Sequence, residues 1–140
     1  MASKEQKWVR VQKRAFLRWT NLQLRRGRCH IEDLETGFRT GVALCILCES
    51  ISGERLRKYS KKPKMEIHCL ENLNIALKWL KSKVKLVGIG SRGIYDGETK
   101  QTLGLLWTLI LRFQVADVEI DGLSGKKGLL LWARRACKQT

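Results

Sequence analysis

Apolar residues return at helical spacing four times along the chain. From Glu5 to Arg26 they fall at Trp8, Val11, Ala15, Trp19 and Leu22, with Val9 and Phe16 beside them, while Lys7, Arg10, Lys13, Arg14 and Arg18 take the other face. Gly27 predicts the stop. A second helix is predicted from about Glu35 to Ser52, with Phe38, Val42, Leu44, Cys45, Leu47, Cys48 and Ile51 mostly inward, closed by Ser52-Gly53. The polar loop "ERLRKYSKKPK" holds the single proline and leads to a third helix, about Met65 to Ser82, with Ile67, Leu70, Leu73, Ala76, Leu77 and Leu80 on one face. A fourth, Glu98 to Val115, contains "TLGLLWTLILRF" and is apolar almost all round, so it lies at the centre of a core or turns surplus apolar surface to a partner. "ADVEIDGLSG" reads as an acidic linker, and "KKGLLLWARRACKQT" begins another amphipathic helix. The pattern predicts an all-α fold.

Charge changes that picture. The 140 residues carry 28 Lys+Arg against 13 Asp+Glu, a net of +15, so a polyanion or an acidic surface is the expected partner. Nine basic residues and one acid lie between Met1 and Arg28, which concentrates the excess on the first helix. The longest apolar run, near Leu103 to Leu111, is about half of what a bilayer needs. The polar start, Met1 to Lys7, has no signal-peptide core, and five cysteines without framework spacing fit a reducing compartment. A cytoplasmic protein without a transmembrane segment is expected.

Gly88-Ile89-Gly90-Ser91-Arg92-Gly93 matches G-x-G-x-x-G after the apolar run Val84 to Val87. A dinucleotide site needs a strand before the glycines, a helix starting at or before the last one, and an acid about 20 residues on. Instead Ile94-Tyr95-Asp96-Gly97 is a further turn signal, Arg112-Phe113 stands at the acid's place, and no parallel sheet is predicted. The glycines read as a loop, and no cofactor is expected. Cys45-x-x-Cys48, with Cys29-His30 or His68-Cys69 as a second pair, could outline a zinc site, but its position inside an apolar helix face reads as buried structural thiols. No nucleophile–base spacing is present, and the chain reads as a non-enzyme.

The order of segments resembles a calponin-homology domain, the first of the tandem pair in spectrins, α-actinins, plakins and filamins. The resemblance is carried by "VQKRAFLRWTN" (Val11 to Asn21), "LCESISGERL" (Leu47 to Leu56), "IHCLENLNIALKWL" (Ile67 to Leu80), "VKLVGIGSRGIYDG" (Val84 to Gly97) and "TLGLLWTLILRFQV" (Thr102 to Val115). "GKKGLLLWARRA" is similar to the opening helix of the second domain, and "IHCLEN" leans toward β-spectrin. The resemblance implies a compact bundle of four main helices with short turns over residues 1–115, a linker at 116–123, and the first helix of a second domain at 124–140. Two positions depart from the family: Thr40 replaces the aspartate usual before Gly41, and Glu98 the asparagine usual after Asp96-Gly97.

The resemblance also implies an actin filament as partner, contacted by the first helix, by the stretch from Val84 through the last helix, and around Lys61 to Met65. Within those segments Lys13, Arg14, Arg18, Lys61, Lys62, Lys64 and Lys85 are the candidates for electrostatic steering. Val9, Val11, Leu86, Val87, Ile94, Leu103 and Leu106 are the candidates for apolar contact. Trp19, Trp79 and Trp107 are assigned to the core. The rival is a basic module for anionic phosphoinositide membrane or nucleic acid. Nucleic acid is not expected, because the aromatics fall on predicted core faces instead of interleaving with Lys/Arg on one exposed face.

Overall fold

The structure, a computed structural model, describes residues 4–114 with the exception of Arg57. Four main helices form the bundle: α1 (Lys4–Leu24), α3 (Val42–Ser52), α4 (Glu66–Lys81) and α6 (Thr99–Leu109). Two short helices, α2 (Leu34–Gly37) and α5 (Ser91–Tyr95), sit in the connections, and α6 runs on into one π-helical turn, Ile110–Gln114. No strand occurs among the described residues. The expected linker at 116–123 and partial helix at 124–140 lie outside the described residues.

α1 packs on α3 and α6, α3 on α4, and α5 lies against both α4 and α6. Phe16 and Trp19 from α1, Leu47 from α3, Leu73 from α4, and Leu105 and Leu109 from α6 meet in one buried core. Burying a side chain of that size is worth roughly 1.5–3 kcal/mol, so this shared core outweighs what any surface charge supplies. Trp107 packs partly buried on the core with its ring centroid 6.0 Å from that of Phe16, and Trp79 stacks on Phe113 at 6.3 Å.

α1 ends in a 3-10 turn, Arg25–Gly27, followed by Arg28 in the left-handed region (φ 54°). The Asn21 side chain then fixes the returning chain, donating to the Ile31 carbonyl (3.0 Å) and accepting from the Ile31 N–H (2.9 Å).

The single helix expected from Glu35 to Ser52 is two helices. Asp33 caps α2 by accepting from the Thr36 N–H (2.7 Å) and hydroxyl (2.8 Å), which holds its carboxyl below the usual range. The chain then turns through Gly41 at φ 79° before α3 begins. A Cβ at Gly41 would stand 2.5 Å from the Asn72 Cβ and 2.8 Å from the Leu73 nitrogen, so only glycine allows both this φ and this approach to α4. Thr40, the departure noted above, gives only a long hydrogen bond from the Val42 N–H, 3.4 Å.

Residues 82–90 form no strand, and the helix that begins at Ser91 lasts five residues. That short helix was not expected. Gly93 packs against the Gln101 side chain, whose amide oxygen accepts from the Gly90 N–H (3.1 Å), so the glycine run serves helix packing.

Candidate interaction surface

The outer face of α1 presents Arg14 and Arg18 exposed, with Val9, Val11 and Lys13 half-buried. Lys13 forms an ion pair with Glu35 of α2, and both border a shallow pocket with Leu34, Thr99 and Leu103. The fold therefore brings Lys13 and Leu103, both proposed from sequence, onto one patch. Leu103 is half-buried and keeps part of its surface available.

Two of the proposed apolar contacts are core residues. Ile94 is 1% exposed and Leu106 is 0% exposed. α5 turns Ile94 inward against the bundle, and Leu106 shares the inward face of α6 with Leu105 and Leu109. Neither side chain reaches the surface in this conformation.

The connection 82–90 supplies what those two do not. Val84, Leu86 and Ile89 pack partly buried against the core, whereas Val87 stands outward at 76% exposure with Lys85 also exposed. Ile89 lies beside α6, its Cδ1 3.8 Å from where a side chain at Gly104 would begin. From Val84 to Val87 the side chains alternate inward and outward, and the left-handed Gly88 (φ 70°) then shifts the register so that Ile89 turns inward.

Lys61, Lys62 and Lys64 are exposed in the α3–α4 loop. Lys61 borders a different surface feature, a groove of about 590 Å³ whose walls include Arg26, Ile46, Arg55 and Tyr59. The loop is fastened from within: the side chain of buried Asn72 accepts from the Ser60 N–H (2.9 Å) and donates to the Ser60 (2.7 Å) and Thr40 (3.0 Å) carbonyls. Glu49 adds two anchors, accepting from the Leu56 N–H (3.1 Å) and the Tyr59 hydroxyl (3.0 Å). Burial and the bond to that carboxylate push the Tyr59 phenol up.

Trp8, Leu22 and Ile67, all expected inward, are exposed at 56%, 52% and 57%, and Met65 at 61%. Trp8 and Ile67 lie near the starts of their helices and Leu22 near the end of α1, where the apolar stripe runs out from the core. Their position at helix ends beside cations and polar loops was the available signal.

Cys45 and Cys48 are buried, and the Cys45 thiol donates to the Asn72 carbonyl at 3.4 Å. Burial, with Glu49 nearby, pushes the Cys45 thiol up to about 12 and raises Cys48 well above the ordinary thiol value, so both stay protonated at neutral pH. No group of three or more potential metal ligands is found among the described residues, and no described helix is long and apolar enough to cross a membrane.

Residues 10–115 match the Calponin homology (CH) domain family. Over 129 residues the chain is 46% identical to alpha-actinin-1 of Homo sapiens, covering 91% of this chain and 14% of that protein. The figures are the same for alpha-actinin-4 of Homo sapiens. Among solved structures, the actin-crosslinking core of Schizosaccharomyces pombe fimbrin aligns with a TM-score of 0.67 at 25% identity, over 83% of this chain and 26% of that one. The chain thus spans a small part of the relatives it matches. With the family match running through all four main helices, this chain belongs to the calponin homology domain family.

Proposed function

We propose that the chain is an actin-filament-binding module of the cytoplasmic cytoskeleton, acting by binding and not by catalysis. The observation that carries the reading is the placing of cations beside accessible apolar side chains on a helical frame: exposed Arg14 and Arg18 beside half-buried Val11 on α1, exposed Lys85 and Val87 on the 82–90 connection, and half-buried Leu103 beside Lys13. Family membership and the likeness to the fimbrin core support it. Cations raise the encounter rate with an acidic polymer, and desolvated apolar groups slow dissociation.

Replacing Lys13, Arg14 and Arg18 together by glutamine should lower filament affinity in co-sedimentation by roughly three- to tenfold and flatten its salt dependence. Binding that stays unchanged at low salt removes α1 from the interface. A second reading, anionic phosphoinositide, draws on the exposed Lys58, Lys61, Lys62 and Lys64 in one loop. Flotation with vesicles containing phosphoinositide, against neutral vesicles, tests it.

A further inference from the structure

The α3–α4 loop holds the single Arg-x-x-Ser/Thr spacing in the 140 residues, Arg57-Lys58-Tyr59-Ser60. Arginine three positions before a serine, with lysine between, suits protein kinases whose substrate grooves carry acidic side chains, since guanidinium–carboxylate pairing is strong and directional. Spacing alone decides little, because many such serines are buried or locked in helices.

Ser60 is neither. It is exposed, its backbone is irregular, and its hydroxyl has no hydrogen bond among the described residues. Its N–H and carbonyl are both held by the buried Asn72 side chain, so the peptide is fixed while the hydroxyl stays outside. Several other hydroxyls are engaged or hidden. Ser52, Ser82 and Thr108 donate to backbone carbonyls, Thr36 is bonded to Asp33, and Thr20 and Thr102 are buried.

We propose that Ser60 is a phosphorylation site for an arginine-directed serine/threonine kinase. In the step, Ser60 Oγ attacks the γ-phosphorus of magnesium-bound ATP, and the O–P bond forms as the bond to the β–γ bridging oxygen breaks. ADP leaves, and the hydroxyl proton passes to the kinase's catalytic carboxylate. The product places about −1.5 to −2 charges in a segment, residues 54–65, that carries six Lys/Arg and one acid, a net +5. Exposed Lys58, Lys61 and Lys62 flank the new phosphate closely in sequence and lose much of their outward field to it. The effect on filament binding rests on the function proposed above; the modification site itself does not.

The folded 140-residue chain is incubated with such a kinase and Mg-ATP, and intact and peptide masses are read. One phosphate on Ser60 is expected, abolished in Ser60→Ala and slowed at least tenfold in Arg57→Ala. No phosphate on Ser60 while the kinase fully converts a reference peptide of the same spacing overturns the site, as does incorporation only after unfolding in urea. In a second arm, modified and unmodified chains are pelleted with filaments at two salt concentrations. A three- to tenfold loss at low salt that shrinks at high salt supports the switch, and equal pelleting of the two forms overturns it. Failure of the unmodified chain to pellet overturns the filament reading and leaves the Ser60 result standing.

Discussion

The two irregular connections that flank α4 are held by a different balance of polar and apolar ties. The one before it, residues 53–65, rests Leu56 and Tyr59 partly buried on the core but is tied chiefly by polar groups: Asn72 through two hydrogen bonds to Ser60, Glu49 through two to Leu56 and Tyr59. The one after it, residues 82–90, is held by inserting Val84, Leu86 and Ile89 into the margin of the core. Polar ties leave a loop's own side chains free, so the first connection can carry lysines at successive exposed positions. Apolar insertion consumes alternate side chains and leaves the others outward, so the second presents Val87 and Lys85 at fixed points. A field comes from the first kind of loop, and a shaped apolar contact from the second.

The sharpest way to break this comparison is Asn72→Ala. It strands the Ser60 N–H and two carbonyls, and a stability loss of about 2–3 kcal/mol is expected by urea unfolding. Leu86→Ala attacks the other connection. Because Leu86 is only partly buried, its loss should cost about 1–2 kcal/mol, below the range for fully buried leucines. Should Leu86→Ala prove costlier than Asn72→Ala, the assignment of polar and apolar anchoring is wrong.

pH distinguishes the two connections more gently. The Cys45 thiol, bonded to the Asn72 carbonyl, holds its proton to about pH 12 when folded, against 9.0 for an ordinary thiol. The folded state therefore keeps a proton that the unfolded chain releases, so this contribution is whole below pH 9 and is lost as pH rises through 12. Tyr59 acts in the same direction above pH 10. A urea midpoint that is flat from pH 7 to 9 and falls above it is expected, with a shallower fall in Tyr59→Phe. The smallest effect on stability belongs to Val87→Ser, within about 0.5 kcal/mol because the side chain is already in water. The same variant should lower filament affinity several-fold; unchanged pelleting would remove Val87 from the contact.

Much of this arrangement was legible in the sequence. α1, α4 and α6 were found within a few residues, because long apolar stripes at a 3.6-residue period have one good interpretation. The basic outer face of α1 followed from the same count. The break at Gly41 was not legible: an isolated glycine in a periodic run is often tolerated in a helix, and what forbids it here is contact with α4, thirty residues away in the chain. Leu106 was misplaced because a nearly all-apolar segment does not reveal which side faces in, and Ile94 because the short helix α5 that turns it inward was not read from a stretch rich in turn residues. Asn72 passed unnoticed. Its position between Cys69 and Leu73, on an otherwise buried face, was the one hint that a polar group had internal partners to serve.

The approach of Gly41 to Asn72 and Leu73 also limits how the molecule tolerates change. With a single hydrogen atom as spacer, α3 and α4 sit nearly backbone to backbone, and any larger residue would act as a wedge driven between two halves of the interior. Alanine at that point would disturb the bundle's seam and, through Asn72, slacken the lysine-bearing loop on the far side. A substitution remote from every outward-facing side chain would then mimic damage to the docking face itself.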